Sequence, residues 1–189
     1  MPTGIALGDA RDRLFAAAER LLVSAGPGAL TSRAVTDEAG VAKGVLHRHF
    51  ADFDAFLAEL VLDRIARVQA RAAALRPGEG TVAGTLTTAL TELFDPVGTA
   101  VVGLVIARDG LRARLRAAGS TGLPLMSEAA AGLAGYLVAE RDLGRLPAGA
   151  DVDALAATLI GAVHLQVAGA DRAPADADAV RQVVATVLG

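Results

Sequence analysis

Apolar residues recur along the chain at helical spacing almost from end to end, and no stretch alternates with the two-residue period of a strand. Leu14, Ala18, Leu21, Leu22 and Ala25 form a one-sided stripe with Phe15 beside it, which predicts a helix over residues 9–25 after a frayed start at 1–8. Gly26-Pro27-Gly28 stops that helix. A second stripe, Phe53, Phe56, Leu57, Leu60, Val61, Ile65 and Val68, predicts a long helix capped by Asp52 or Asp54 and running to about residue 75. The turn formers of residues 76–80 break it, and helices are then predicted over 81–94, 98–107, 110–118, 124–142, 151–169 and 176–188. Asp95-Pro96, the loop 119–122, the segment 144–147 and Ala173-Pro174 separate them. With two short helices between residues 31 and 50, the count is nine to ten, and the class is all-α.

Those two short helices carry the most specific pattern. In TSRAVTDEAGVAKGVLHRHF, Thr31 can cap the first helix, because its hydroxyl accepts from an orphan N–H of the opening turn. Val35 and Ala39 share a face, Gly40 supplies the left-handed end, and Val41 points back toward the core. A second helix begins around Ala42 to Lys43, with Leu46 and Phe50 on its apolar side. Lys43, Gly44, His47 and Arg48 are left facing solvent. One apolar seam and one free polar face is what a helix–turn–helix needs when its second helix enters a major groove. The competing reading is a helical hairpin within an unrelated all-α protein.

In identity and spacing, Thr31, Arg33, Val35, Ala39-Gly40-Val41, Gly44, Leu46 and His49-Phe50 resemble the DNA-binding motif of the TetR family of bacterial regulators, with the similarity running from about Arg11 to about Leu60. The resemblance implies an N-terminal three-helix head over residues 1–54 joined to a helical ligand-binding and dimerisation domain over 55–189. It implies double-stranded operator DNA, a small effector and a second copy of the chain as partners, with no cofactor, metal or membrane. The residues it places on DNA are Thr31, Arg33, Lys43, Gly44, Val45, His47, Arg48 and His49. Arg48 is the best base-reading candidate, since a guanidinium can fork onto the guanine edge. Several positions depart from the family pattern. His47 stands where tyrosine is common, Val45 where Thr or Ser is, Ala42 where a capping Ser or Pro is, and Phe53 where a phosphate-gripping lysine is. Pro27 replaces an aromatic after the first glycine, leaving Leu30 as the plug beneath the motif.

Composition narrows the picture further. The sequence has no cysteine, which excludes disulfides, thiol redox chemistry and thiolate metal sites. Aromatic residues are only 3% of the chain, so an aliphatic core with close backbones is expected. No leader-like start and no charge-free span long enough for a bilayer is evident, and the expectation is a soluble, cytoplasmic protein. The net charge is −3, and the head itself is not basic: Lys43 is the only lysine of the chain, and acids outnumber bases through Glu59. DNA affinity would then come from local placement of Arg33, Lys43, Arg48 and the histidines. Arg112, Arg114 and Arg116 read as a solvated face rather than a second nucleic-acid surface.

No nucleophile, acid pair or phosphate-cradling loop can be argued, so an enzyme is not expected, and the i, i+2 pair His47 and His49 is not a metal site. By resemblance, an effector pocket for an apolar or amphipathic molecule lies among helices four to seven. Its candidate lining is Leu62, Ile65, Leu86, Leu90, Phe94, Val102, Ile106 and Leu125, with Thr87, Thr91 and Arg108 as polar handles. By the same resemblance, the small residues of the two long helices near the C-terminus, Gly132, Gly135, Gly161 and Ala168, with His164 beside them, are assigned to a dimer interface, although packing within one chain would give the same pattern. The functional expectation is a repressor of a palindromic operator, released by the effector. The alternative is a ligand-binding dimer that has lost specific DNA binding.

Overall fold

The computed structural model describes residues 7–168 and 174–189. Among these residues there are ten α-helices and no strand. They are α1 (Leu7–Ala25), α2 (Ser32–Glu38), α3 (Gly44–His49), α4 (Phe53–Ala73), α5 (Val82–Leu93), α6 (Pro96–Ala107), α7 (Asp109–Ala117), α8 (Met126–Asp142), α9 (Val152–Ala168) and α10 (Ala177–Leu188), with a 3-10 turn over Pro27–Ala29.

Local chemistry explains where these helices start. Thr31, Asp52, Thr81 and Asp95 each accept a backbone N–H three residues on, at 3.1, 2.7, 3.0 and 2.6 Å. Each such cap stabilises its helix by about 1 kcal/mol. Gly40, at φ 63°, ends α2 in the left-handed region, and Val41 then donates its N–H to the Thr36 carbonyl at 3.0 Å.

Several boundaries differ from the sequence pattern. α1 is already helical at Leu7, while residues 1–6 of the expected frayed start, and the expected helix end at 169 and break at 173, lie outside the described residues. α3 begins only at Gly44, without a side-chain cap, as the missing Ser or Pro at Ala42 foreshadows. α6 begins at Pro96, because Asp95 caps it and proline presets φ at a first helical position; the pair that ends α5 therefore starts α6. α7 is shifted one residue toward the N-terminus at both ends. α8 begins at Met126, since Leu125 has φ 76°, with its N–H held by Glu128 Oε2 at 2.7 Å. α4 runs unbroken through residue 54, so the head and the second region share one helix.

Aromatic side chains are scarce but not scattered. Phe15, Phe50, Phe53 and Phe56, four of the five phenylalanines, meet where α1, α3 and α4 converge, with Phe50 and Phe56 edge-on at 5.0 Å. Leu30, buried from the 3-10 turn side, is the plug expected beneath the motif. α6 packs along α1, α4 along α8, α8 against α9, and α5 against α10. Two features then fix α4. Arg64, 5% exposed, donates to both carboxylate oxygens of Asp95 at 2.7 Å, and a Cβ on Gly98 would stand 3.3 Å from its Nη2. At the far end, a Cβ on Gly132 of α8 would come within 2.6 Å of the Ala72 Cβ, so the Ala72 methyl rests directly on the α8 backbone.

Because Asp95 both neutralises a buried guanidinium and caps α6, Asp95→Ala is expected to lower stability by about 3 kcal/mol in urea unfolding. Arg33→Ala, which removes an exposed partner of Asp37, is expected to stay within about 0.5 kcal/mol of the parent.

Candidate nucleic-acid interface and interior cavity

The head sorts its positive charges into two groups. Arg11 pairs with Glu59 at 3.1 Å and lies over the Phe15 ring; Arg13 donates to the Ala39 carbonyl at 2.7 Å; Arg20 pairs with Glu38 at 2.7 Å. These three bind helix to helix. Arg33 is exposed and only loosely opposed by Asp37 at 3.5 Å. Lys43 and Arg48 are exposed and have no partner among the described residues. They stand at the start and in the last turn of α3, with exposed His47 beside Arg48.

The remaining residues expected on DNA divide in the same way. Thr31 is exposed but already caps α2. Gly44 is exposed, with open space where a Cβ would stand. Val45 is half-buried and packs on the core, and His49 is half-buried with its ring 6.2 Å from Phe50. Their orientation is set from the opposite side of α3, where Leu46 and Phe50 are buried. Phe53 opens α4, stacks on Phe56 at 5.6 Å and receives the Arg108 guanidinium 5.8 Å from its ring centre.

Arg108, Arg112 and Arg114, around and along α7, are paired as well. Arg108 reaches Asp54 and the Leu30 carbonyl, both at 3.4 Å; Arg114 pairs with Asp52 at 2.7 Å; Arg112 donates to the Val105 and Ile106 carbonyls and pairs with Asp109. Arg116 alone of that run is exposed without a partner among the described residues. The run stays largely at the surface, as expected of a solvated face, but Arg114, together with Arg108, forms a strap from α7 to the start of α4. Sequence spacing carries no sign of that tertiary contact.

A cavity of about 630 Å³ lies between α4, α5 and α8. Val68, Arg71, Ala72 and Leu75 line it from α4, and Ala129 and Leu133 from α8. Thr85, Thr88, Ala89 and Glu92 line it from α5. A second cavity, of about 620 Å³, lies on the other side of the Ala72–Gly132 contact and includes Gln69 and Tyr136. None of the residues expected to line a pocket lines either one. Ile65, Leu86, Leu90, Phe94, Val102 and Leu125 are buried core, Leu62 packs against that core, and Ile106 is 49% exposed. Thr87 and Thr91 donate to carbonyls one turn back at 2.8 Å, and Arg108 belongs to the strap. The cavity uses the neighbouring face of α5. A run of Thr81, Thr85, Thr88 and Glu92 at helical spacing was the signal that could have found it.

The residues expected at a dimer interface also separate. Gly132 is spent on Ala72, and His164 is half-buried with its ring 5.9 Å from Phe94. Gly135, Gly161 and Ala168 are exposed, Gly135 on the rim of the second cavity. Leu165, between the last two, is 78% exposed. Among the described residues, no group of three or more His, Asp or Glu could hold a metal ion, and no single helix is long and apolar enough to cross a membrane.

Residues 14–60 match the family model for bacterial regulatory proteins of the tetR family. No curated protein matches the sequence. A TetR-family transcriptional regulator from Mesorhizobium loti superposes with a TM-score of 0.73 at 18% identity, over 97% of each chain. A TetR-family member from Streptomyces coelicolor A3 is 27% identical, with a TM-score of 0.65 over 96% of this chain and 99% of the other. The multidrug binding protein EbrR, solved with imidazole, is 27% identical, with a TM-score of 0.59 over 95% and 94%.

The strap makes a pH prediction. The Ala55 N–H holds the Asp52 carboxyl below the usual carboxylate range, with help from Arg114. A depressed folded value means that its contribution is present above the unfolded pKa and is lost as pH falls through the folded one. An NMR titration is expected to place the Asp52 midpoint below the ordinary aspartate value, and Arg114→Gln to raise it.

Proposed function

We propose, from the match of residues 14–60 to the tetR-family model and the fold shared with that family's regulators, that the protein is a homodimeric, cytoplasmic repressor that binds a palindromic operator and is released by a small effector held between α4, α5 and α8. The observation that carries this reading is the free face of α3. Of the fixed cations among the described residues before Phe53, only Lys43 and Arg48 lack a partner, and both stand where a recognition helix meets DNA. Arg48 is assigned to a base edge and Lys43 to phosphate. α4 starts under that head and lines the cavity at its other end, so occupancy of one can bias the other. EbrR, which holds imidazole, lends support to a ligand-binding role.

A second reading, a ligand-binding dimer without specific DNA binding, is favoured by the uncapped start of α3 and by the use of Phe53 for packing instead of phosphate contact. Selection of bound fragments from the source genome separates the two. One enriched inverted repeat supports the first, and no enrichment supports the second.

On the enriched operator, Arg48→Ala is expected to cost about 1–3 kcal/mol and to relax preference at one position. Lys43→Ala is expected to weaken all sequences alike and to reduce the salt slope by about one. An unchanged sequence preference in Arg48→Ala would overturn the base assignment.

The exposed stripe of Gly161, Leu165 and Ala168 is proposed as the face of α9 that meets the second copy. Sedimentation is expected to show a dimer at micromolar concentration and its dissociation in Leu165→Asp. A parent protein that stays monomeric would exclude it.

A further inference from the structure

The cavity says more about its ligand than its size does. α4 and α5 run antiparallel, joined by the turn at 76–80 at one end and pinned by Arg64–Asp95 at the other. Arg71 lies two residues from the turn end of α4, and Glu92 one residue from the far end of α5. The lining on α5, from Gly84 to Leu93, spans about 14 Å at 1.5 Å per residue. The space is thus long and narrow. Its apolar wall is Val68, Ala72, Leu75, Ala89, Leu93 and Leu133, and no aromatic ring lines it. A flat aromatic or a cation that needs ring faces finds none here. A flexible aliphatic chain does fit, because its methylenes need only area to bury, at roughly 0.8 kcal/mol each.

The polar groups then orient such a chain. Thr87 and Thr91, on the other side of α5, bond to carbonyls of the helix, whereas Thr88, on the cavity side, has no partner among the described residues. Arg71 and Glu92 also line the rim without partners among the described residues, although their charges are opposite. They stand toward opposite ends of the rim. A guanidinium fork matches a carboxylate. Glu92 opposes a second anion further along and so gives the site one polarity.

We propose that this cavity takes a medium-chain aliphatic carboxylate, its head paired with Arg71 and its chain laid on Val68, Leu93 and Leu133. This rests on the reading of the cavity as the effector site. The test is calorimetry on the full chain with decanoate, decanol and decyltrimethylammonium, each below its micellar concentration. Decanoate is expected to bind at least tenfold more tightly than the other two. Arg71→Gln, a change at an exposed side chain, is expected to remove that advantage and leave decanol unchanged. Equal binding of decanol or the ammonium, no binding of decanoate, or indifference of decanoate to Arg71→Gln would overturn the proposal. Repeating the titrations with operator DNA present separates this proposal from the reading beneath it. An Arg71-dependent decanoate affinity that operator leaves unchanged keeps the carboxylate site and sinks the effector role. A preferred ammonium whose binding operator weakens does the reverse.

Discussion

The buried pair of Arg64 with Asp95 is the fixed point of this molecule. Arg64 sits near the middle of α4, and its guanidinium is removed from water and matched by one carboxylate. The same carboxylate starts α6, the helix that packs along α1 of the head. One side chain therefore ties α4 to α6, and through α6 to α1, and removing its carboxylate would strand the Arg64 guanidinium in a low-dielectric interior. On the head side of that point, α4 is gripped by the phenylalanine cluster. On the far side it rests on α8 at Ala72–Gly132 but is parted from α5 by the cavity. Few contacts join α4 to α5, although they are consecutive, and α5 takes its packing from α10 instead.

Charge in the head follows from the same economy of contacts. An acidic protein can bind a polyanion only where its cations are not already neutralised. Arg11, Arg13 and Arg20 are consumed in joining α1 to α4 and α2, and Arg108 and Arg114 in strapping α6 and α7 to the start of α4. That leaves the α3 face as the concentrated positive surface. Phe53 illustrates the exchange: a ring at the head of α4 completes the aromatic cluster and seats Arg108, where a lysine would have reached outward.

The parts of the structure legible in the sequence are those decided within a few residues. Thr31, Gly40 and the Leu46–Phe50 pair act through capping, a left-handed φ and i, i+4 spacing, and these are local. The all-α class and the plug role of Leu30 were legible for the same reason. The cavity was not, because Leu86 and Leu90 stand on the same helix as Thr85 and Ala89, and only the placement of α10 and α8 decides which face is filled and which is left open. Gly132 shows a related ambiguity. A small residue permits close approach but does not say to whom, and the partner here is Ala72 of the same chain. Asp95-Pro96 follows the α5 stripe like a stop, yet the same two residues carry the signals of a start.

The geometry also limits how a ligand can act on the head. Where Ala72 meets Gly132 there is no slack, so α4 cannot yield toward α8 when the cavity fills. Its middle is tied to α6 through Asp95, and α6 is tied to α1. On the proposed effector reading, and with α5 held by α10, a chain that parts α4 from α5 would leave a swing of α4 about the Arg64 anchor as the compliant direction. That swing is felt at Phe56 and, through Phe50, at the end of α3. The energy available for it is only the difference in affinity between the two positions of α4, whatever the absolute affinity. Moving the head from one dominant position to the other needs a differential of roughly 5.5 kcal/mol. Burial alone is a poor source, because the aliphatic wall is offered to the chain in both positions. A charge pair whose distance changes with the swing is a better one, since Coulomb energy depends on separation while area burial does not. Arg71, on the moving helix and facing α5 across the gap, is the residue of the cavity placed to supply it.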